Sequence, residues 1–408
     1  MILFFKKATK NIAIFYYSRK NTKISKIIMS RSKFFIIAGE ASGDLLGSKL
    51  IEQLRIANPQ ATFVGVGGEL MQKQQLQSIF DMSDLAVMGF VEVLPHIFTI
   101  FRRIKQTINA IESYDPDFVI TIDSPDFCFR VANKIAKKYK KIHLVAPSVW
   151  AYRQSRAQKV AKIYDLLLAI LPFEPPYFTK YGLKTVFIGN PLASTELSDF
   201  EKQQNNLLFR QQNSISLKQI VILLTPGSRK SEVQKIFPQF ILAINKLSID
   251  FQDLVIVIPV VNKTKQLVQK MAKSLQVRHI FVDFSQKKMA FSASNFALAK
   301  SGTNTLEIAL YRIPMIIGYK VNFLSYYLIK SLIKIKFVNI LNLLQNKQVI
   351  PELLQQNCNA NNFYQLLKNM IIQPQIAQQQ IEQVAISLQA LKTEQDPMLL
   401  ASQQIMQL

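Results

Sequence analysis

The chain has 408 residues, 49% of them hydrophobic, and carries 50 Lys and Arg against 26 Asp and Glu for a net charge of +24. This length exceeds what one ordinary core needs and predicts two domains, and the apolar content excludes a disordered chain. Two cysteines far apart, Cys128 and Cys358, and three histidines, His96, His143 and His279, exclude a disulfide framework and the usual zinc spacings, so a reducing compartment and no metal are expected.

The positive charge is mostly lysine and is dispersed. It points either to anionic partners (nucleic acid, an anionic lipid surface, a phosphorylated substrate) or to compositional drift towards Lys, Ile, Asn, Phe and Gln. Residues 1–32 predict a basic, disordered extension. Met1-Ile2-Leu3-Phe4-Phe5 opens like a signal peptide, but lysines interrupt the apolar core and no small-residue cleavage site follows. The acid-free composition also has transit-peptide character, and Met29, just ahead of the first strand, suggests an upstream start codon.

From Phe34 onward, strand-like and helical runs alternate, which predicts an α/β fold with a mainly parallel sheet covered on both faces. The first unit, residues 33–193, has strands predicted at Phe34–Ala38, Phe63–Val66, Phe118–Ile122, Ile142–Val145, Leu166–Leu171 and Val186–Ile188. The polar stretch Ser194–Gln219 reads as a linker. The pattern restarts over residues 220–370, with strands predicted at Ile220–Leu224, Leu254–Val260, Ile280–Val282, Phe296–Ala299 and Met315–Ile317. Two Rossmann-like doubly wound halves imply a central cleft between them. Residues 371–408 are Gln-rich but keep Ile381, Val384, Leu388 and Leu391 at helical spacing, predicting helices that could pack back on the first unit. No run reaches the roughly 18 apolar residues of a membrane span. The nearest, Phe323–Leu344, is interrupted by Lys330, Lys334 and Lys336 and reads as an amphipathic helix, either on a bilayer surface or packed on its domain.

Four turns carry the chemistry. Gly39-Glu40-Ala41-Ser42-Gly43-Asp44 joins the first strand to a helix, placing two carboxylates and a hydroxyl where an α/β sheet binds ligands; capping of that helix by Ser42 or Asp44 is the plainer alternative. A buried strand ends at Asp123-Ser124-Pro125-Asp126, so that one aspartate suits a general base and one a cap. Thr225-Pro226-Gly227-Ser228-Arg229 repeats the strand–turn–helix design, with an arginine suited to phosphate. Ser301-Gly302-Thr303 opens another helix and could cradle a phosphate, with Glu307 a turn further on for ribose hydroxyls. Gly65-Val66-Gly67-Gly68 reads as a loop. No Walker lysine pattern or full dinucleotide fingerprint follows any strand, and no cofactor is expected.

These motifs together resemble the lipid-A-disaccharide synthases, inverting glycosyltransferases of GT-B architecture. The matching segments, in family order, are AGEASGD (Ala38–Asp44), FVGVGG (Phe63–Gly68), LAVMGFVEVL (Leu85–Leu94), IDSPDF (Ile122–Phe127), APSVWAYRQSR (Ala146–Arg156), LPFEPPYF (Leu171–Phe178), TPGSR (Thr225–Arg229), SGTNTLE (Ser301–Glu307) and PELLQ (Pro351–Gln355). Asn190, Leu341 and Thr225 depart from the residues common there. The resemblance implies transfer of 2,3-diacylglucosamine from its UDP donor (UDP-2,3-diacylglucosamine) to the 6-hydroxyl of 2,3-diacylglucosamine 1-phosphate, giving a β(1→6) disaccharide and UDP. It implies Asp123 as base and Gly227, Arg229, Ser301, Gly302, Thr303, Glu307, Asn342 and Gln355 on the donor side. Glu40, Ser42, Gly43 and Asp44 fall on the acceptor side, and Met88, Phe90, Val91 and Val93 face acyl chains or membrane, unless they are core. The implied partners are the two glycolipids and the anionic inner face of the inner membrane, approached peripherally from the cytoplasm, and no nucleic acid. Oligomeric state is open, a homodimer being compatible.

Overall fold

The computed structural model describes residues 31–85, 97–195, 198–320 and 335–408. The acyl or membrane positions Met88, Phe90, Val91 and Val93 lie outside the described residues, as do residues 323–334 of the predicted amphipathic stretch.

The first sheet is built from β1 (Lys33–Ala38), β2 (Thr62–Val66), β3 (Gln77–Ser78), β4 (Phe118–Ile122), β5 (Lys140–Leu144), β6 (Leu166–Ala169) and β7 (Lys184–Phe187). Its order is β3-β2-β1-β4-β5-β6-β7, with every pairing parallel. Such strands are buried on both faces, which is why Phe34-Phe35-Ile36-Ile37-Ala38 is an unbroken apolar run with no exposure. Register is fixed by an aromatic stack: Phe34 pairs with Phe63 and Phe118, with ring centroids 5.3 and 5.0 Å away. Covering helices are α1 (Ala41–Ala57), α2 (Glu69–Lys73), α3 (Ile97–Tyr114), α4 (Pro125–Ala132), α5 (Arg156–Ala161) and α6 (Pro175–Thr179).

The stretch 194–219, expected as a linker, holds α7 (Asp199–Gln212), whose amino end is capped by Ser198. Gln203, Gln204, Gln211 and Gln212 are exposed, while Phe209 is fully buried in the second unit's core. Arg210, 5% exposed, donates to the carbonyls of Ser216, Gln219 and Ala293 and to Asn295 Oδ1. A one-sided helix with so narrow an apolar face carries a linker's composition.

The second sheet comprises β8 (Ile220–Thr225), β9 (Leu254–Pro259), β10 (His279–Val282), β11 (Phe296–Lys300), β12 (Met315–Tyr319) and β13 (Glu352–Leu354), ordered β10-β9-β8-β11-β12-β13 and again parallel throughout. Its helices are α8 (Lys230–Asp250), α9 (Lys265–Ala272), α10 (Lys287–Ala293), α11 (Thr303–Leu310), α12 (Ile340–Gln345), α13 (Ala360–Ile372) and α14 (Pro374–Ala390). The last helix, α15 (Pro397–Met406), crosses back: Met398, Ala401 and Ile405 share one buried cluster with Leu50, Ile51 and Leu54 of α1. The tail thus divides, with α14 on the second sheet's side and α15 on the first. Leu171 and Ala193 from the first half join the second core, so the junction is itself apolar.

Candidate active site

Strand order places the site. In the first sheet the chain leaves β1 towards β2 and β3, then returns to lay β4 on the other side of β1; the second sheet does the same around β8 and β11. At such a reversal the loops leaving the two strands diverge and open a crevice beyond their carboxyl ends. Ala38 pairs with Ile122, so Glu40 and Asp123 leave the sheet side by side, and Ala299 pairs with Thr225, which brings the Gly227–Arg229 and Lys300–Thr303 turns together.

At the first reversal Asp123 and Ser124 both adopt left-handed backbone, with φ of 50° and 42°. Such conformations cost on the order of 1–3 kcal/mol each and persist where surrounding structure enforces them. Asp123 N–H donates to Leu144 O, and Ser124 O accepts from the Phe127 and Cys128 amides that open α4. Gly39 is required here, because a Cβ on it would lie 2.3 Å from Ser124 Oγ. Burial raises the Asp123 carboxyl above its ordinary value, opposed by a backbone hydrogen bond at Ser124. Glu40 is also raised, by burial first and then by the charge of Asp123, while Arg229 and Lys263 pull it down. Glu40 Oε1 is buried with no hydrogen-bond partner among the described residues. Two carboxyls held near one another, one with an unused oxygen, are poised to share a proton or to accept from a hydroxyl.

Glu40, but not Asp123, lines a cleft of about 1460 Å³, walled also by Gly67, Gly68 and Asp81 from the first half and by Ser228, Arg229 and Lys263 from the second. The Gly67–Gly68 turn, expected as a plain loop, is therefore part of the wall.

At the second reversal Gly227 has φ of 121°, and a Cβ there would meet Glu232 Oε2 at 2.7 Å, so the turn needs glycine. Glu232, in the first turn of α8, links two cations: its Oε1 lies 2.9 Å from Lys300 Nζ and 3.5 Å from Arg229 Nη1. Beyond β11, Ser301 is buried, Gly302 and Thr303 are exposed, and α11 begins at Thr303, its opening amides directed at the same end of the sheet. Asn304 Nδ2 donates to Thr225 Oγ1 at 2.7 Å and ties the two turns together. Glu307 lies a turn into α11, held by Lys287 Nζ at 2.6 Å. Gln355 follows β13 with φ of 51°, at the same carboxyl-end edge.

Three expected site residues do other work. Asn342 is fully buried; its Nδ2 donates to Ile350 O and Glu352 Oε1, and its Oδ1 accepts from the Val349 and Ile350 amides. With both ends of its amide consumed it ties α12 to β13 and is unavailable to a donor sugar. Asp44, 5% exposed, accepts from the amides of Gly68, Leu70 and Met71, so it caps α2 and not its own helix. Gly43 is buried against Ala38, where a Cβ would sit 3.2 Å from the Ala38 Cβ, and serves helix–strand approach. Ser42 stays exposed beside cleft-lining Ala41. Lys300 and Lys263 have no role assigned from the sequence, where Glu232 reads only as a capping residue in the first turn of its helix. Lys300 ends a strand immediately before the Ser-Gly-Thr turn, a readable signal, whereas Lys263 lies in a loop with no local one.

A family model described as lipid-A-disaccharide synthetase matches residues 34–406. Lipid-A-disaccharide synthase of Rickettsia bellii is 42% identical over 365 residues, covering 88% of this chain and 94% of the relative. Among solved structures, UDP-GlcNAc 2-epimerase from Neisseria meningitidis bound to UDP-GlcNAc superimposes with a TM-score of 0.61 at 13% identity, over 92% of this chain and 98% of that one. Acinetobacter baumannii MurG does so at 0.56 and 11%, over 93% and 100%. The structural likenesses place the fold in the GT-B architecture, and the sequence matches show that the chain belongs to the lipid-A-disaccharide synthase family.

Proposed function

We propose that the cleft performs the family's transfer with Asp123 as general base and the second-half turns as the seat of the UDP group. The chain is a glycosyltransferase of lipid A biosynthesis, joining 2,3-diacylglucosamine from its UDP donor to 2,3-diacylglucosamine 1-phosphate. The acceptor 6-hydroxyl gives its proton to Asp123 while its oxygen forms a bond to the donor's anomeric carbon and the bond to UDP breaks with its electron pair. Attack opposite to the departing group inverts that carbon and yields the β linkage. Negative charge grows on the departing diphosphate, and Arg229, Lys300 and the α11 amides at Gly302–Thr303, with Ser301 and the glycine turn at Gly227, are placed to receive it. Glu307 holds ribose and Gln355 borders the donor. Glu40 and Ser42 line the acceptor side, with the unused Glu40 Oε1 accepting from a sugar hydroxyl.

The observation that carries this reading is electrostatic proximity across the cleft. Glu40 feels Asp123 on its own sheet and Arg229 and Lys263 on the other, and Glu40, Arg229 and Lys263 line one cleft, with Asp123 beside Glu40 at the end of the neighbouring strand. Burial that lifts the Asp123 carboxyl makes it a better proton acceptor once ionised. Acylated substrates require contact with a bilayer. No helix among the described residues is long and apolar enough to cross one, and the charge of +24 favours peripheral attachment to an anionic inner-membrane surface from the cytoplasmic side. Asp123→Asn tests the assignment: turnover falls about 10²–10⁴-fold while UDP binding by calorimetry is retained. Near-normal turnover in that variant moves the base to Asp126 or Glu40.

A further inference from the structure

A second cavity lies outside the cleft. It is a groove of about 430 Å³ between α4 and α5, starting at Pro125 and Asp126, immediately after the catalytic turn. Five cations line it, Arg130, Lys134, Arg156, Lys159 and Lys162, against one acid, Asp126. Only one of the five is neutralised by that acid: Arg156 Nη2 lies 2.8 Å from Asp126 Oδ1 and stacks on the Phe129 ring, which fixes it in the groove wall. Clustering like charges along two short helices is unfavourable unless an anion enters between them. The outer lip is apolar: Arg130 lies over the ring of Phe101 on α3, and Phe101 and Phe98 are 49% and 84% exposed.

We propose that this groove binds the phosphomonoester of the glycolipid acceptor, an inference that rests on the function proposed above. A phosphomonoester carries roughly −1.5 to −2 charges at neutral pH and offers three acceptor oxygens. That matches an excess of cations better than the single charge of a phosphodiester headgroup. The groove runs between two helices and its volume of about 430 Å³ is of the order of one sugar-phosphate headgroup. The groove begins at Pro125, two residues along the chain from Asp123, so a sugar spanning the two would present its hydroxyl end to the base and its phosphate end to Arg130 and Lys134. The exposed phenylalanines then lie beside the acyl chains of the same molecule.

The test is the exposed pair Arg130→Ala with Lys134→Ala, which leaves Arg156 and its wall contacts intact. Assays in neutral detergent micelles remove any effect of anionic lipid. KM for the 1-phosphate acceptor should rise at least about tenfold with donor KM unchanged, and turnover of the same acceptor lacking its phosphate should not change. Alongside, Lys134, Lys159 and Lys162 of the wild-type chain should be protected from acetic anhydride by the phosphorylated acceptor and not by its dephosphorylated form or by UDP. Unchanged acceptor KM, an equal effect on both acceptors, or absence of protection would overturn the proposal. So would loss of binding to phosphatidylglycerol vesicles in the double variant with micellar KM intact, which would make the groove a bilayer contact. Protection without any turnover by the wild-type chain supports the groove and counts against the transfer reaction.

Discussion

Glu232→Gln isolates the donor-side electrostatics, because it removes one charge and keeps the shape. Glu232 and Lys300 are 15% and 17% exposed and 2.9 Å apart, with Arg229 at 3.5 Å. Two unit charges 4 Å apart interact by about 4 kcal/mol at an effective dielectric near 20, and desolvation offsets part of that. Stripping a partner from a fully buried pair costs about 3–5 kcal/mol; with this much solvent access the net loss should be about 2 kcal/mol. For a unit of this size each kcal/mol moves Tm by about 2–4 °C, so the ligand-free protein should melt about 4–8 °C lower. UDP should show the opposite sign. The carboxylate competes with a diphosphate for Lys300 and Arg229, and its removal should tighten UDP about fivefold, or roughly 1 kcal/mol. Scanning calorimetry with and without saturating UDP reads both quantities. An unchanged ligand-free Tm, or a UDP-induced rise smaller than in the wild-type chain, would refute the cation–anion–cation arrangement as a diphosphate seat.

Three further outcomes are expected. Asn342→Ala leaves the Val349 and Ile350 amides without their acceptor and should cost about 3 kcal/mol or more, with UDP affinity unchanged at a temperature where the variant is folded; weakened UDP binding there would restore Asn342 to the donor site. Gly227→Ala should lose about 1–3 kcal/mol from backbone strain at φ of 121° and weaken UDP binding by distorting the turn that leads into Arg229, whereas wild-type stability would contradict the observed turn. Glu174 is 2% exposed, and burial pushes its carboxyl up to about 8, although Trp150 Nε1–H and Leu171 N–H both donate to it. It therefore stays protonated in the folded chain while ionising near 4.5 when unfolded, so its contribution to stability is full below pH 4.5 and is lost as pH rises through 8. Denaturant unfolding should show the wild-type chain losing up to roughly 1.4 kcal/mol per pH unit relative to Glu174→Gln between pH 5 and 8, and parallel profiles would contradict this.

The strands were legible because parallel strands covered on both faces are continuous apolar runs, as in Phe34–Ala38 and Ile220–Leu224, and each ends at a glycine- or proline-bearing turn. Short edge strands were not: Gln77–Ser78 is two polar residues and Glu352–Leu354 only three residues long, too brief to stand out. Helix α7 was hidden by its solvent face, since only a few residues, Phe209 among them, report its burial. Site residues on strand-to-helix turns were visible, because a carboxylate, arginine or glycine there has few roles. What they do depends on contacts distant in sequence. Asp44 meets amides 24 to 27 residues away, and Asn342 is consumed by β13 and the loop before it. Lys300 gains its partner only when β8 and β11 become neighbours. The strand order that makes Glu40 and Asp123 adjacent is a property of the whole sheet and has no local signature.

The central claim is that this cleft forms a β-linked lipid A disaccharide by base-assisted displacement of UDP. Its most direct test is incubation of the purified chain, wild type and Asp123→Asn, with UDP-2,3-diacylglucosamine and 2,3-diacylglucosamine 1-phosphate. Products are followed by mass spectrometry, and the new anomeric proton by its coupling in NMR. The wild-type chain should give the disaccharide 1-phosphate and UDP in equal amounts with β configuration, and the variant should give neither at a comparable rate. UDP release without disaccharide, an α linkage, or undiminished turnover by the variant would contradict it.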